Sequence, residues 1–192
     1  MRLFVAVPLA PEASRALDPP VAALSRALWR PMAAHSRHLT LRFLGERTAE
    51  EAVALPRALG AALAGGGAFD VELRGLGVFP DSGRPLVLWA GCGPGAERLD
   101  ALAHLVEGAC QAAGLPAADR PFSPHLTLAR RRDRNGGDGG VPAVLRAWGD
   151  ARWGVLRVSR VALLRSELLG DGPRYTTVGE WALAGRRDRT IP

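Results

Sequence analysis

Lysine is absent from this 192-residue sequence: all 25 basic side chains are arginine, set against 19 acidic ones, for a formal charge of +6. The accompanying load of Ala, Gly and Pro reflects GC-rich coding, so part of the arginine excess carries no functional information. What remains favours an anionic partner, because the planar guanidinium fork matches phosphate oxygens, although net charge alone is a weak sign of nucleic acid. Cysteine is nearly absent too. Cys92 and Cys110 are too few for a disulfide framework, and they point to a reducing, cytoplasmic setting. No run approaches the roughly 20 apolar residues that a membrane-crossing helix needs. There is no Gly-x-Gly-x-x-Gly, no Walker loop and no zinc-type cysteine spacing, so the common signatures for dinucleotides, nucleoside triphosphates and structural zinc are missing. Disorder is excluded as a global description by a hydrophobic share of 47%.

The chain that is present has room for one domain with a proper core. Leu3, Val5 and Val7 alternate with other residues and predict an N-terminal strand rather than a signal peptide. Apolar spacing from Pro11 to Leu28 predicts a helix that Pro19-Pro20 must start or break. Strands are expected at Arg37–Leu44, Phe69–Leu73, Leu86–Ala90, Pro124–Arg130, Val155–Leu164 and Thr176–Leu183. Thr48 and Glu51 form a capping box for a helix to about Leu63, ended by Gly65-Gly66-Gly67. A second long helix is expected over Ala96–Ala113 and a short one over Val141–Trp148. Gly75–Gly83 reads as a turn-rich link, the glycine-rich stretch after Arg130–Arg134 as a flexible basic loop, and Gly185–Pro192 as a frayed tail. Several strands are adjacent with short links, which favours α+β with mainly antiparallel sheets over a doubly wound parallel sheet.

The tetrapeptide His-Leu-Thr-Leu occurs twice, at 38–41 and at 125–128, one copy in each half. On a strand, side chains alternate faces, so His38 and Thr40 share one face while Leu39 and Leu41 take the other; His125 and Thr127 repeat this against Leu126 and Leu128. The leucines can enter a core. Each histidine then stands beside a hydroxyl on the opposite face, and two such faces brought together make a cleft with two imidazoles and two hydroxyls. In-line displacement at phosphorus needs a base for the attacking water and an acid for the leaving oxygen. Histidine, titrating at about pH 6.5, serves either role, and each proton transfer contributes on the order of 10² to 10⁴ in rate. Threonine hydroxyls can donate to phosphate oxygens. Arg130 lies five residues beyond His125, and on an ideal strand it faces away, so phosphate contact requires a bend or the strand's end.

A lone His-x-Thr on a strand is usually a half-exposed polar face; the second copy with identical leucines is what reverses that reading. His35 and His104 lack the context and are expected at the surface. The five tryptophans are expected to pack rather than bind. Two His-x-Thr strands without carboxylate companions offer too few ligands for a catalytic zinc, so neither metal nor cofactor is expected.

Beyond the repeat, the chain resembles the RNA 2′,3′-cyclic phosphodiesterases (LigT-like, 2′–5′ RNA ligase) of the two-histidine phosphoesterases. The resemblance rests on Met1–Ala6, His38–Gly45, Gly77-Val78-Phe79-Pro80, Leu88-Trp89-Ala90-Gly91, Arg120–Arg130, Leu164–Leu168 and Gly172-Pro173-Arg174-Tyr175. It implies one bilobal α+β domain over 1–192, with interleaved lobes, pseudo-twofold symmetry, outer helices and a central cleft. It implies metal-free hydrolysis of RNA 2′,3′-cyclic phosphate ends to a 2′-phosphate. His38 and His125 take the acid–base roles, with His125 as base and His38 as acid, an order the sequence does not fix. Thr40, Thr127 and Arg130 take the phosphate. RNA ends are the expected partner, and a monomer is the default. The rival readings are a reversible 2′–5′ RNA ligase, a phosphodiesterase on another cyclic or 2′–5′ nucleotide, and a non-catalytic RNA-end-binding protein.

Overall fold

The computed structural model describes residues 1–132, 137–169 and 172–183. Much of the basic loop after Arg132 and the tail from 184 onward therefore lie outside the described residues. The N-terminal strand β1 is Arg2–Pro8. The helix expected over 11–28 is instead two short ones, α1 (Pro11–Arg15) and α2 (Asp18–Ala22). The cause is Pro19-Pro20: prolines supply no N–H for an unbroken helix, but they suit a helix's first turn, where they sit in α2. A short strand β2 (Trp29–Pro31) follows, which periodicity did not reveal. Next come β3 (His38–Glu46) and α3 (Ala49–Leu63). The capping box is formed as expected: Glu51 N–H donates to Thr48 Oγ1 at 3.2 Å, and Thr48 N–H donates to Glu51 Oε2 at 2.8 Å.

The remaining elements are β4 (Phe69–Phe79), β5 (Val87–Cys92), α4 (Ala96–Ala112), β6 (His125–Arg131), α5 (Val141–Trp148), β7 (Arg152–Val158), β8 (Arg160–Leu169) and β9 (Gly172–Ala182). Two expectations need correction. The link expected from Gly75 belongs largely to β4. Gly75 adopts φ +74, which shifts the register, and pairing with β5 resumes at Leu76. The strand expected over 155–164 is two strands, broken at Ser159. β7 pairs with β4, while β8 pairs with β1 and β9, so the chain crosses from one side of the sheet to the other there.

The strands form one antiparallel sheet in the order β7-β4-β5-β6-β3-β1-β8-β9, with β2 added on β6. The two antiparallel sheets expected from sequence are the four-stranded halves of this sheet. Among the described residues they join at a single pair, Leu39 opposite Leu126, at the β3–β6 seam. Each half ends inward on a His-Leu-Thr-Leu strand, and the two run antiparallel. The main core gathers Leu3, Val5 and Val7 with the inner faces of α3 and α4. β1 is buried on both sides: Phe4 and Ala6 join Ala162, Leu164 and Tyr175 in a small cluster on the opposite face. That second cluster is the floor of the cleft.

Candidate active site

The seam sets the geometry. Leu39 and Leu126 are both fully buried and face each other where the halves pair. Continuing that antiparallel register by one residue each way puts His38 beside Thr127 and Thr40 beside His125. Together with Arg130, His38, Thr40 and Thr127 line one small cleft, whose remaining wall includes Phe4, Phe43 and Tyr175.

The two imidazoles are held in the same way. His38 Nδ1–H donates to the Ser36 carbonyl and His125 Nδ1–H to the Ser123 carbonyl, each at 2.8 Å. A carbonyl only accepts, so Nδ1 carries the proton and Nε2 is left for chemistry. Two aromatic rings then fix each imidazole. His38 lies 4.8 Å from Phe4 and 5.1 Å from Tyr175; His125 lies 5.1 Å from Phe79 and 6.3 Å from Trp89. Burial drives the His38 pKa down to about 4, helped by the charges of Arg130 and His125 and opposed by the Ser36 carbonyl. Burial also lowers His125, with Arg130 adding to it and the Ser123 carbonyl opposing it. The backbone before His38 is anchored by Arg37, buried at 4% exposure, which pairs with Asp18 at 2.8 Å and donates to the Ser14 carbonyl.

Arg130 reaches the cleft through a β-bulge. On β5, Trp89 faces Thr127 and Val87 faces Arg130, so two steps of β5 span three steps of β6. The additional residue reverses the alternation and returns Arg130 to the face of Thr127. Leu128 and Ala129 are accordingly buried in succession. The first motif carries the same device. Ala6 faces Thr40 and Phe4 faces Phe43, so Phe43 returns to the face of Thr40. Arg130 and Phe43 both stand five residues after their histidines and occupy equivalent places.

A family model described as the 2′–5′ RNA ligase superfamily matches residues 11–168. The chain belongs to that superfamily. Within it, the chain is 40% identical over 205 residues to an RNA 2′,3′-cyclic phosphodiesterase of Thermus thermophilus, an alignment covering 98% of this chain and 93% of the relative. It is 36% identical to a protein of the same name from Aquifex aeolicus, over 77% of this chain and 78% of that one. Solved members superpose closely. A Thermus thermophilus protein of known structure does so with a TM-score of 0.79 at 36% identity, covering 97% of this chain and 100% of that one. Escherichia coli LigT complexed with 3′-AMP gives 0.75 at 28% identity, covering 95% and 97%.

In this member of the superfamily, all five residues singled out from sequence are close to the β3–β6 seam. His35 and His104 are exposed, as expected. Sequence reasoning missed Phe4, Phe79, Tyr175 and Trp89, the last of which was assigned to packing. One signal for Trp89 was available. Gly77 lies opposite it on β4, and a Cβ there would fall 2.1 Å from the indole ring, so the glycine exists to let the ring lie across the strand.

Proposed function

We propose that this protein opens the 2′,3′-cyclic phosphate at RNA ends, leaving a 2′-phosphomonoester, by acid–base catalysis between His38 and His125 without a metal. The observation that carries it is the matched pair of imidazoles on the two strands that meet at the seam, each with Nδ1–H tied to a carbonyl so that Nε2 is left for chemistry. The relatives named RNA 2′,3′-cyclic phosphodiesterase supply the substrate class.

The step balances with water alone. One neutral Nε2 takes a proton as the water oxygen bonds to phosphorus. The P–O3′ bond breaks on the far side, and the other imidazolium delivers its Nε2 proton to O3′. We assign His125 as base and His38 as acid. Since the protein alone keeps His38 neutral near pH 7, His38 takes up a solvent proton as the anionic substrate binds and its charge offsets that of Arg130. Thr40 and Thr127 donate to the non-bridging oxygens, and Arg130 balances their charge.

The two imidazoles can carry both proton transfers and the two threonines with Arg130 the phosphate oxygens, so the proposed step calls on no metal. A monomer of two interleaved lobes in one domain would suffice for this step, because the two motif strands meet within the fold. Cys92 and Cys110 are both free thiols, in keeping with a reducing, cytoplasmic location. No described helix is long and apolar enough to cross a membrane.

The deciding experiment incubates the protein with an oligonucleotide ending in a 2′,3′-cyclic phosphate, in excess EDTA, and identifies the phosphate isomer. A 2′-phosphate is expected. A 3′-phosphate would overturn the direction of opening, and loss of turnover on chelation would overturn the metal-free step. The superfamily's description favours one second reading, joining of a 5′-hydroxyl RNA to the cyclic end. Adding such an acceptor in excess tests it, with a 2′–5′ linked product as the positive result.

A further inference from the structure

We propose that Arg37 is a positioning residue for the reaction: clamped to α1 and α2, it aims the Ser36 carbonyl that keeps the His38 proton on Nδ1 and leaves Nε2 to the substrate. The inference rests on the reading above for the part His38 plays in turnover, but not for the clamp or the tautomer.

Both motifs are preceded by serine and one further residue, Ser36-Arg37 before His38 and Ser123-Pro124 before His125, and in both the serine carbonyl accepts from Nδ1–H at 2.8 Å. That carbonyl shares a peptide plane with the nitrogen of the residue between, so whatever holds this residue aims the acceptor. In the second motif it is Pro124, whose ring locks φ. The first motif is badly placed to use that device. Ser36 closes a 3-10 turn over Ala34–Ser36, and helical backbone is disfavoured immediately before a proline. Arg37 stands there instead and is tethered through space.

The tether is made of buried polar groups. Ser14, at 1% exposure, and Arg37 are the only buried polar or charged side chains among the described residues, and they meet. One guanidinium nitrogen donates to the Ser14 carbonyl, and another pairs with Asp18 Oδ1 at 2.8 Å. The Ser14 hydroxyl donates to the Ala34 carbonyl at 2.6 Å, so α1 ties the start of the turn as Arg37 ties its end. Asp18 is the first residue of α2, a place created by the break at Pro19-Pro20. A buried ion pair adds little net stability over a well-packed apolar side chain, and Arg37 Nε is buried with no hydrogen-bond partner. Stability alone therefore does not account for the clamp. What the clamp supplies is direction. As the acid, His38 must give up the proton on Nε2 and keep the one on Nδ1. A neutral imidazole can carry its proton on either nitrogen, and a fixed carbonyl at Nδ1 settles the choice.

The test uses Arg37→Met, which keeps bulk and loses both contacts, and Asp18→Asn, which keeps an acceptor and loses the charge. Two quantities are read: kcat and KM on a 2′,3′-cyclic-phosphate oligonucleotide, and the imidazole ¹⁵N shifts near pH 7, which report the tautomer. Arg37→Met is expected to lower kcat about 10- to 100-fold with KM within about two-fold of wild type, as misaim of a reacting group does. The His38 nitrogens should move toward a mixture of tautomers while those of His125 stay in place. Asp18→Asn should give a smaller change of the same kind, and it decides the matter on the same readouts if Arg37→Met does not fold. Leu59→Ala, a core truncation in α3, is the control for lost stability and should change neither readout. Wild-type kcat, unmoved His38 shifts, shifts in both histidines together, or an equal fall of kcat in Leu59→Ala would each overturn the proposal, whatever the Tm. A protein that does not turn over the cyclic phosphate at all would sink the reaction proposed above, and the nitrogen shifts would then decide the clamp by themselves.

Discussion

The two His-Leu-Thr-Leu strands share a backbone and differ in chemistry. Both bulge at the second leucine, both tie Nδ1–H of the histidine to a carbonyl two residues upstream, and both return the residue five positions after the histidine to the cleft. In β3 that residue is Phe43 and the histidine lies against Phe4 and Tyr175. In β6 it is Arg130 and the histidine lies against Phe79 and Trp89. Backbone symmetry gives two imidazoles held alike, and the proposed in-line displacement uses one on each side of the phosphate. Side-chain asymmetry gives the cleft a charged wall at Arg130 and an aromatic wall at Phe4, Phe43 and Tyr175.

The largest expected effect comes from breaking the symmetric part. His38→Ala and His125→Ala should each lower kcat by about 10² to 10⁴-fold while circular dichroism stays native. Near-full activity in either would end the acid–base pairing. The same two variants separate the roles when the bridging 3′ oxygen of the substrate is replaced by sulfur, a leaving group that needs no protonation. Under the present assignment His38→Ala regains most of its rate on that substrate and His125→Ala does not; the opposite pattern would exchange acid and base.

Next in size is the asymmetric charge. Arg130→Gln removes a charge-assisted contact of about 1.5–3 kcal/mol, so kcat/KM should fall roughly 10- to 100-fold. The substitution has a second signature. The Arg130 charge contributes to the lowered pKa of both histidines, so its removal should raise both NMR titration midpoints. Midpoints that stay in place would put Arg130 outside the electrostatic reach of the site.

How much of this was visible in sequence divides at the bulges. Period-two alternation was enough to place His38, Thr40, His125 and Thr127 on common faces, because it depends only on local extension. Alternation also predicted that Arg130 faces away, and there the reasoning failed for a definite reason. The added residue at Leu128 is set by pairing with β5, which lies some forty positions earlier, and nothing within β6 announces it. Phe43, five residues after His38, escapes simple alternation on the same ground. Tyr175 reaches His38 from β9, at the far edge of its half-sheet, so only the assembled strand order brings it in. The helices show the reverse: the capping box of α3 and the break at Pro19-Pro20 are local, and both were legible.

The smallest expected effect concerns stability and again sets one motif against the other. His38 is held neutral in the fold, with a pKa of about 4, whereas in the unfolded chain it titrates near its ordinary value of about 6.5. Between those values the unfolded chain binds a proton that the folded one refuses. Unfolding is therefore favoured progressively as pH falls from about 6.5 to about 4, and the penalty is constant below that. His38→Gln removes this proton uptake and should flatten the acid side of the stability curve, leaving Tm less dependent on pH over that interval. His125 has more exposed surroundings, and the matching His125→Gln should flatten the curve less. Equal flattening by the two would mean that the imidazoles are equivalent in the folded protein, and that the asymmetry of the cleft stops at Phe43 and Arg130 rather than reaching the groups that move the proton.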